Sequence, residues 1–379
     1  MKKIFCLFIV LIFFSCQSNL TDKAQDPINK IVIGERYSIT SAALAEDREV
    51  FISLPLNYKR NIHSYPIIIV MDAEYLFEIT NSIVKIKTSR NEMPESIVVG
   101  IPNNTGKRSD MALELTKKDG RKFFGNNGGK SKDYLEFFRK ELFPFLEKNY
   151  RVNSSNTIIG MSPTFGPVLE ALWYEPNLFS GYIILAAELS LKTVSNKTVA
   201  EKVLTSLQDT LHTGASIYIG KAGKDMKRRP KEEAEAFFKL KQALDSTANY
   251  RIRYKVEILE NEDHYGMSIT GIQHGLETIY PIDLWDIPYR DFWNSEKPAN
   301  AIKSFYNNLS KQYNFEIIPL EDSFYAAQTL LGTIRRLERQ GRMKELKDVL
   351  NLAITYYPNS EKLINLTSGT KQTGNNGIK

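Results

Sequence analysis

"NTIIGMSPTFGPVLEALW", residues 156–173, is the stretch on which the reading of this chain turns. An apolar, strand-like run (Thr157 to Ile159) ends in Gly160-Met161-Ser162, and Pro163 opens what reads as a helix. A serine at such a junction has two readings. It is a nucleophile raised on a sharp strand-to-helix elbow, or the cap of an ordinary helix, because Ser followed by Pro is a good helix start. The choice depends on what the rest of the chain presents beside it.

Working outward, short β-rich runs alternate with helical patterns. "ERYSIT" (35–40) and "REVFISLPL" (48–56) predict a hairpin, and "YPIIIVMD" (65–72) predicts a strand buried on both faces. "SIVVGIPN" (96–103), "SGYIILAAEL" (180–189), "ASIYIGKAG" (215–223) and "RYKVEILEN" (253–261) predict further strands. Between them, "SKDYLEFFRKELFPFLEKNY" (131–150) has helical spacing, with Pro144 as a kink or boundary, and "PKEEAEAFFKLKQAL" (230–244) starts as a helix should. Alternation of this kind predicts an α/β fold with a mostly parallel sheet and helices on both faces. The long Gly- and Asn-rich connection 103–130 is of a length often used for function.

Past about residue 284 the pattern is helical only. Gly341, Leu346, Ala353 and Pro358 have the spacing of one tetratricopeptide helix pair plus part of another, or of a generic helical extension. A single such unit cannot bury its own core, so it is expected to pack on the main domain. The expected organisation is therefore a signal peptide (1–15), a tether (16–32), an α/β domain (33–284), a helical extension (285–366) and a disordered tail (367–379).

The chain has 379 residues, 42% hydrophobic and 25% charged, which is a globular composition. Its net charge of +6 is spread among interspersed acids and bases, so nucleic-acid binding has little support. The opening MKKIFCLFIVLIFFSCQSN has a basic start and an apolar run (Ile4 to Phe14) too short to span a bilayer comfortably. Ser15-Cys16 resembles a bacterial lipoprotein processing site, with Cys16 lipidated; a plain secretory signal is the alternative. Only Cys6 and Cys16 exist, so a processed chain keeps one thiol, at its end, and no disulfide or thiolate metal site is expected. Removing Lys2 and Lys3 takes the basic count from 50 to 48 against 44 acids, a net +4. The expected location is the bacterial cell envelope, held to the membrane by that lipid.

A nucleophilic serine needs a base to take its proton and a third group to orient that base. Of four histidines, His63 lies in a polar turn before a strand, His212 follows a helix and His274 falls inside a helical run. His264 alone follows a late strand, in "ILENEDHYGMS" (258–268), and is the expected base. Asp225, after the strand "ASIYIGKAG", occupies the slot for the acid in the order Ser, Asp, His. Glu262 and Asp263 are alternatives, although they are too near His264 in sequence to face its ring easily.

Taken together, "YPIIIVMDAEYLF", "IVVGIPN", Arg108 with Asp110, "FFRKELFPFLEKNY", "IIGMSPTFG", "YEPNLFSGYIILAAEL" and "EDHYG" resemble the putative esterase family, which includes enterochelin esterases and esterase D. The resemblance covers about residues 35–282, and the helical extension resembles the tail of some exported members. It implies an α/β-hydrolase fold and hydrolysis of a small ester, such as a siderophore or acylated sugar, with Ser162 as nucleophile and His264 as base, and no cofactor or metal. It further implies an oxyanion donor from the turn after Asp72, at the backbone of Ala73, and a substrate contact at Arg108; the Thr164 N–H is an expected second donor, and Asp72 and Met161 are further expected substrate contacts.

The chain departs from the family pattern G-x-S-x-G, reading Gly160-Met161-Ser162-Pro163-Thr164. Pro163 has no N–H where the residue after the nucleophile normally donates to the oxyanion. Losing one such donor typically costs about 3 kcal/mol. A catalytically weak or inactive binding protein, or an acyltransferase on the same fold, are the competing expectations.

Overall fold

The structure, a computed structural model, describes residues 31–103, 108–125, 128–207, 214–228, 231–246 and 252–373. The expected signal peptide, Cys16 and most of the expected tether therefore lie outside the described residues, as does His212.

Eight strands form one sheet: β1 (Glu35–Ser41), β2 (Glu46–Ser53), β3 (Tyr65–Met71), β4 (Ile97–Ile101), β6 (Val152–Met161), β7 (Gly181–Leu185), β9 (Ser216–Ala222) and β10 (Arg253–Leu259), with β5 (Leu115–Thr116) and β8 (Lys192–Thr193) forming a small separate ribbon. The sheet order is β1-β2-β4-β3-β6-β7-β9-β10. β1 and β2 form the expected hairpin, β2 meets β4 antiparallel, and every pair from β4 to β10 is parallel. This is the strand order of an α/β-hydrolase.

Parallel strands need crossovers, and these supply α1 (Ala73–Ser89), α2 (Asp133–Phe137), α3 (Phe143–Asn149), α4 (Phe165–Tyr174), α5 (Val199–Leu207), α6 (Gly223–Arg228) and α7 (Lys231–Ser246); α8 (Met267–Ile279) follows the last strand. Side chains alternate across the central strands. Ile67, Ile69 and Met71 enter one apolar layer with Phe137, Val168, Leu172 and Phe237; Ile68 and Val70 enter the other with Leu76, Phe77, Ile272 and Leu276. Every residue of β3 is buried, which explains its unbroken apolar run. Each such side chain contributes about 1.5–3 kcal/mol by leaving water.

Pro144 does not end its helix. A π turn (Phe138–Leu142) joins α2 to α3, with the Phe143 amide reaching back to the Phe138 carbonyl. The wider turn accommodates a proline that can offer no N–H to the preceding turn.

The C-terminal helices α9 (Ile282–Trp285), α10 (Tyr289–Asn294), α11 (Pro298–Tyr313), α12 (Leu330–Arg339), α13 (Met343–Tyr356) and α14 (Glu361–Thr373) extend the second apolar layer through Tyr306, Leu337, Val349 and Tyr357. From Ile33 on, the described residues make one compact unit. Gly341, at φ 71°, turns the chain between α12 and α13. Helix α14 runs to Thr373, past residue 367 where a disordered tail is expected. Leu363, fully buried in its first turn, anchors the helix, and a polar sequence can extend a turn already nucleated. Among the described residues no helix is long and apolar enough to cross a membrane.

Candidate active site

Parallel strands deliver their C-terminal ends to one edge of the sheet, and the chemistry-bearing turns collect there. β6 ends at Met161, and Ser162, Pro163 and Thr164 form a turn before α4 begins at Phe165. The helix therefore starts two residues later than the sequence suggests, and its N-cap is Thr164. Ser162 is not the helix cap. It sits half-buried on the turn, its amide donating to the Leu185 carbonyl at the end of β7 (3.2 Å). The Ser162–Pro163 peptide bond is cis.

The turn is tight enough to demand glycine on either side of it. A Cβ on Gly160 would stand 2.4 Å from the Thr164 carbonyl oxygen, and one on Gly166 would stand 2.1 Å from that of Met111. Strand and helix thus approach closely although Thr164 stands where the family pattern has glycine. The tolerance for Thr164 arises because its side chain turns back into the structure: its hydroxyl lies 2.7 Å from the Met161 carbonyl and 2.8 Å from Asp72 Oδ2, and accepts from the Met161 amide at 3.0 Å.

Two expectations fail here. The Thr164 amide donates to the Met161 carbonyl (2.9 Å) and is buried, so it does not serve an oxyanion. Met161 is fully buried, because strand alternation directs its side chain into the second apolar layer, so that side chain is not open at the edge for a substrate contact.

Two strands further along the sheet, Asp225 lies in the first turn of α6, directly after β9, and His264 follows β10. His264 Nδ1 meets Asp225 Oδ2 at 2.5 Å. The Lys224 amide also donates to the Glu262 carbonyl (3.1 Å), joining the two turns that carry the pair. The alternative acids are engaged elsewhere. Asp263 accepts from the Gly266 amide (2.8 Å), which with Lys224 holds its carboxyl below the ordinary value, and Glu262 accepts from the Thr270 hydroxyl (2.9 Å). With Nδ1 facing Asp225, Nε2 is the nitrogen left for proton transfer.

The other side of the edge is built by the turn between β3 and α1. Asp72 adopts left-handed backbone (φ 53°, ψ 44°), and its carbonyl takes the Tyr75 and Leu76 amides (3.2 and 3.1 Å). The Ala73 amide, at the first helical position, has no protein acceptor among the described residues. Asp72 is itself fully buried, and Oδ2 receives the Thr164 hydroxyl and the Tyr75 hydroxyl (3.3 Å). The expected substrate contact at Asp72 is therefore replaced by an internal one. Glu74 holds the Asn103 amide (2.6 Å) at the start of the long connection. Arg108 opens a short 3-10 turn (Arg108–Met111) against α4, and its side chain lies outside the described residues.

Two residues unnoticed in the sequence complete the perimeter. Tyr75 packs edge-on against Tyr265 (6.4 Å between centroids), and Tyr265 packs edge-on against His264 (5.2 Å). Contacts thus run from the Ser162 turn through Thr164, Asp72, Tyr75 and Tyr265 to His264 and Asp225. Behind them, buried Lys221 at the end of β9 donates to the Ala187 carbonyl (2.7 Å) and Glu233 (3.2 Å). Burial pushes the Glu233 carboxyl up, but Lys221 and the amides of Ser190 and Leu189 outweigh it and hold the carboxyl below its usual range. This pins the loop after β7. A lysine inside an apolar strand run is the signal that could have revealed it.

Among the described residues no group of three His, Cys, Asp or Glu could hold a metal ion. A cavity of about 790 Å³ lies elsewhere, beside Lys255 and His274.

Comparison with known proteins gives a consistent picture of the fold. No curated protein matches the sequence significantly. An IroE-like serine hydrolase from Shewanella oneidensis shares 21% identity over 84% of this chain and 98% of its own, with a TM-score of 0.64. An uncharacterised protein from Capnocytophaga ochracea shares 18% identity over 85% of this chain and 84% of its own, with a TM-score of 0.58. The siderophore hydrolase EstB from Aspergillus nidulans shares 18% over 69% of this chain and 99% of its own, at 0.52. Residues 41–311 match the family described as "Putative esterase", and with that match over more than half its length the chain belongs to that family of α/β-hydrolases.

Proposed function

We propose that this protein is a serine carboxylic ester hydrolase acting on a small ester at the bacterial cell envelope, anchored through a lipid on Cys16. The observation that carries the reading is the His264–Asp225 pair, 2.5 Å apart, at the same sheet edge as the Ser162 turn.

In this reading Ser162 Oγ attacks the acyl carbon while His264 Nε2 takes its proton. Asp225, on the opposite ring nitrogen, fixes the tautomer and stabilises the imidazolium. The oxyanion of the tetrahedral intermediate takes the Ala73 amide at the positive end of α1. Collapse expels the alcohol, which receives the proton from His264 and leaves Ser162 acylated. Water, deprotonated by His264, then releases the acid and restores the serine. The residues invoke no cofactor. Structural neighbours described as a serine hydrolase and a siderophore hydrolase make a siderophore-like ester a reasonable substrate class, with an acylated sugar as the alternative.

Pro163 has no backbone N–H and that of Thr164 is engaged, and this favours one second reading: a hydrolase-like protein that binds the ester and turns it over slowly or not at all. A fluorophosphonate probe separates the two. Covalent labelling of the wild type but not of Ser162→Ala supports the enzyme, whereas no labelling of folded wild-type protein supports the binder.

A further inference from the structure

Building on the serine-hydrolase reading, we propose that Thr164 is a positioning residue whose hydroxyl ties the nucleophile turn to Asp72 and so holds the Ala73 amide in register with Ser162. The need for such a tie follows from what the elbow lacks. In the usual arrangement one oxyanion donor lies on the residue after the nucleophile, so donor and nucleophile share a turn and their separation is set by covalent geometry. Here that residue is Pro163, and the next amide, on Thr164, is already bonded to Met161. Among the described residues, the donor available at this edge is the Ala73 amide, at the start of α1 after a different strand. Its distance from Ser162 then depends on how the turn after β3 sits against the turn after β6.

One side chain joins those two turns directly. Thr164 Oγ1 lies 2.8 Å from Asp72 Oδ2, and both residues are fully buried, so water does not compete for the bond. The hydroxyl has one proton and two acceptors within reach. The Met161 carbonyl already receives the Thr164 amide, and a carboxylate is the stronger acceptor, so the proton goes to Asp72. In the other direction, the hydroxyl accepts the Met161 amide (3.0 Å), which fixes its orientation. At the far end, Asp72 is the residue immediately before Ala73, and the Tyr75 hydroxyl steadies the same carboxylate oxygen (3.3 Å). A movement of the Asp72 carboxylate would carry the Ala73 N–H with it. The glycine expected at position 164 could make no such connection, so the two departures from the family pattern, Pro163 and Thr164, act as a compensating pair.

The test measures hydrolysis of p-nitrophenyl butyrate by the full chain, with thermal unfolding of each variant as a check on folding. Thr164→Val keeps the shape and removes the hydroxyl. It should lower kcat about 10- to 100-fold, the scale of a small misalignment, with KM changed less than about twofold. Thr164→Ser, which keeps the hydroxyl, should stay within about threefold of wild type. Asp72→Ala combined with Thr164→Val should be no slower than the slower single variant, because both break one connection. If Thr164→Val does not fold, Thr164→Ala replaces it with the same expectation. Wild-type kcat in a folded Thr164→Val or Thr164→Ala, or an equal loss in Thr164→Ser, overturns the proposal. Ser162→Ala separates the two levels: if it hydrolyses the ester as fast as wild type, the serine reading itself fails. If it is inactive while the Thr164 variants are unimpaired, only the positioning role falls.

Discussion

Two histidines in this protein make nearly the same bond in different places. His264 Nδ1 meets Asp225 at 2.5 Å, and His274 Nδ1 meets Glu257 at 2.6 Å; their side chains are 25% and 28% exposed. His63, with Glu316 at 2.6 Å, is a third such pair. A carboxylate partner is therefore no mark of a catalytic histidine. What differs is position. His264 follows the C-terminal end of its strand, on the edge that carries Ser162, whereas Glu257 lies within β10 and His274 on the helix packed against it. Glu257 is also shared with the Tyr218 hydroxyl (2.7 Å) and Lys255 (3.0 Å), so His274 is one of several donors to one acid. His63 precedes β3, at the opposite end of a strand.

The sharpest way to break this comparison is to exchange the roles experimentally. His264→Ala and Asp225→Asn should each lower kcat/KM on an activated ester by about 10³–10⁴, equivalent to roughly 4–5.5 kcal/mol of transition-state stabilisation. The matching substitutions His274→Ala and Glu257→Gln should leave it within about threefold. A larger loss from the second pair than from the first would reverse the assignment.

Two lysines extend the contrast to stability. Lys221, 2% exposed, sits between Glu233 and Glu188 near the edge that carries Ser162, whereas Lys255 is 44% exposed beside Glu257. Lys221→Met should cost about 3–5 kcal/mol in denaturant unfolding, because it leaves buried carboxylates uncompensated. Lys255→Met should cost less than about 1 kcal/mol, as exposed pairs do. Equal losses would mean that the buried cluster does not brace this edge.

Two carboxyls give pH dependences of opposite sign. Burial pushes Glu95 up to about 7, against its contacts with Asn57 and Arg60 and together with the charge of Glu321. Its folded value lies above the unfolded one, so this residue's contribution to stability is present below about pH 4.5 and is lost as pH rises toward 7. The loss approaches 3 kcal/mol over that window, at about 1.4 kcal/mol per unit. At Glu257 burial raises the pKa, but Tyr218, Lys255 and His274 outweigh it and hold the carboxyl below its ordinary value. Its contribution is present above the unfolded value and is lost as pH falls through the folded one. Unfolding free energies measured between pH 5 and 7 should fall less steeply in Glu95→Gln than in wild type; an unchanged slope would place the titration elsewhere. The smallest effect is expected at His63→Gln, below about 1 kcal/mol, because its partner Glu316 is exposed.

Much of the fold was legible before any coordinates. Each strand expected from an apolar run is present, since runs such as Tyr65–Met71 can satisfy two buried faces only in a central parallel sheet. The meeting of His264 with Asp225 was legible from their slots after late strands. Thr164 and Met161 were misread because a motif specifies which residue types stand in line, not which amide is already bonded or which face a side chain takes. Tyr75, Tyr265 and Glu233 carried no local signal, because their roles arise from chains that meet only after folding.

By itself the sequence determined the alternation of strands and helices, the order serine, aspartate, histidine, and the missing N–H at Pro163, because periodicity, chain order and covalent chemistry are properties of the chain. Tertiary structure alone decided that Asp225 rather than Asp263 meets His264, that Thr164 faces Asp72, and that the Ala73 amide meets no acceptor among the described residues. Those are distances between segments up to ninety-two residues apart, and only the packing of the sheet sets them.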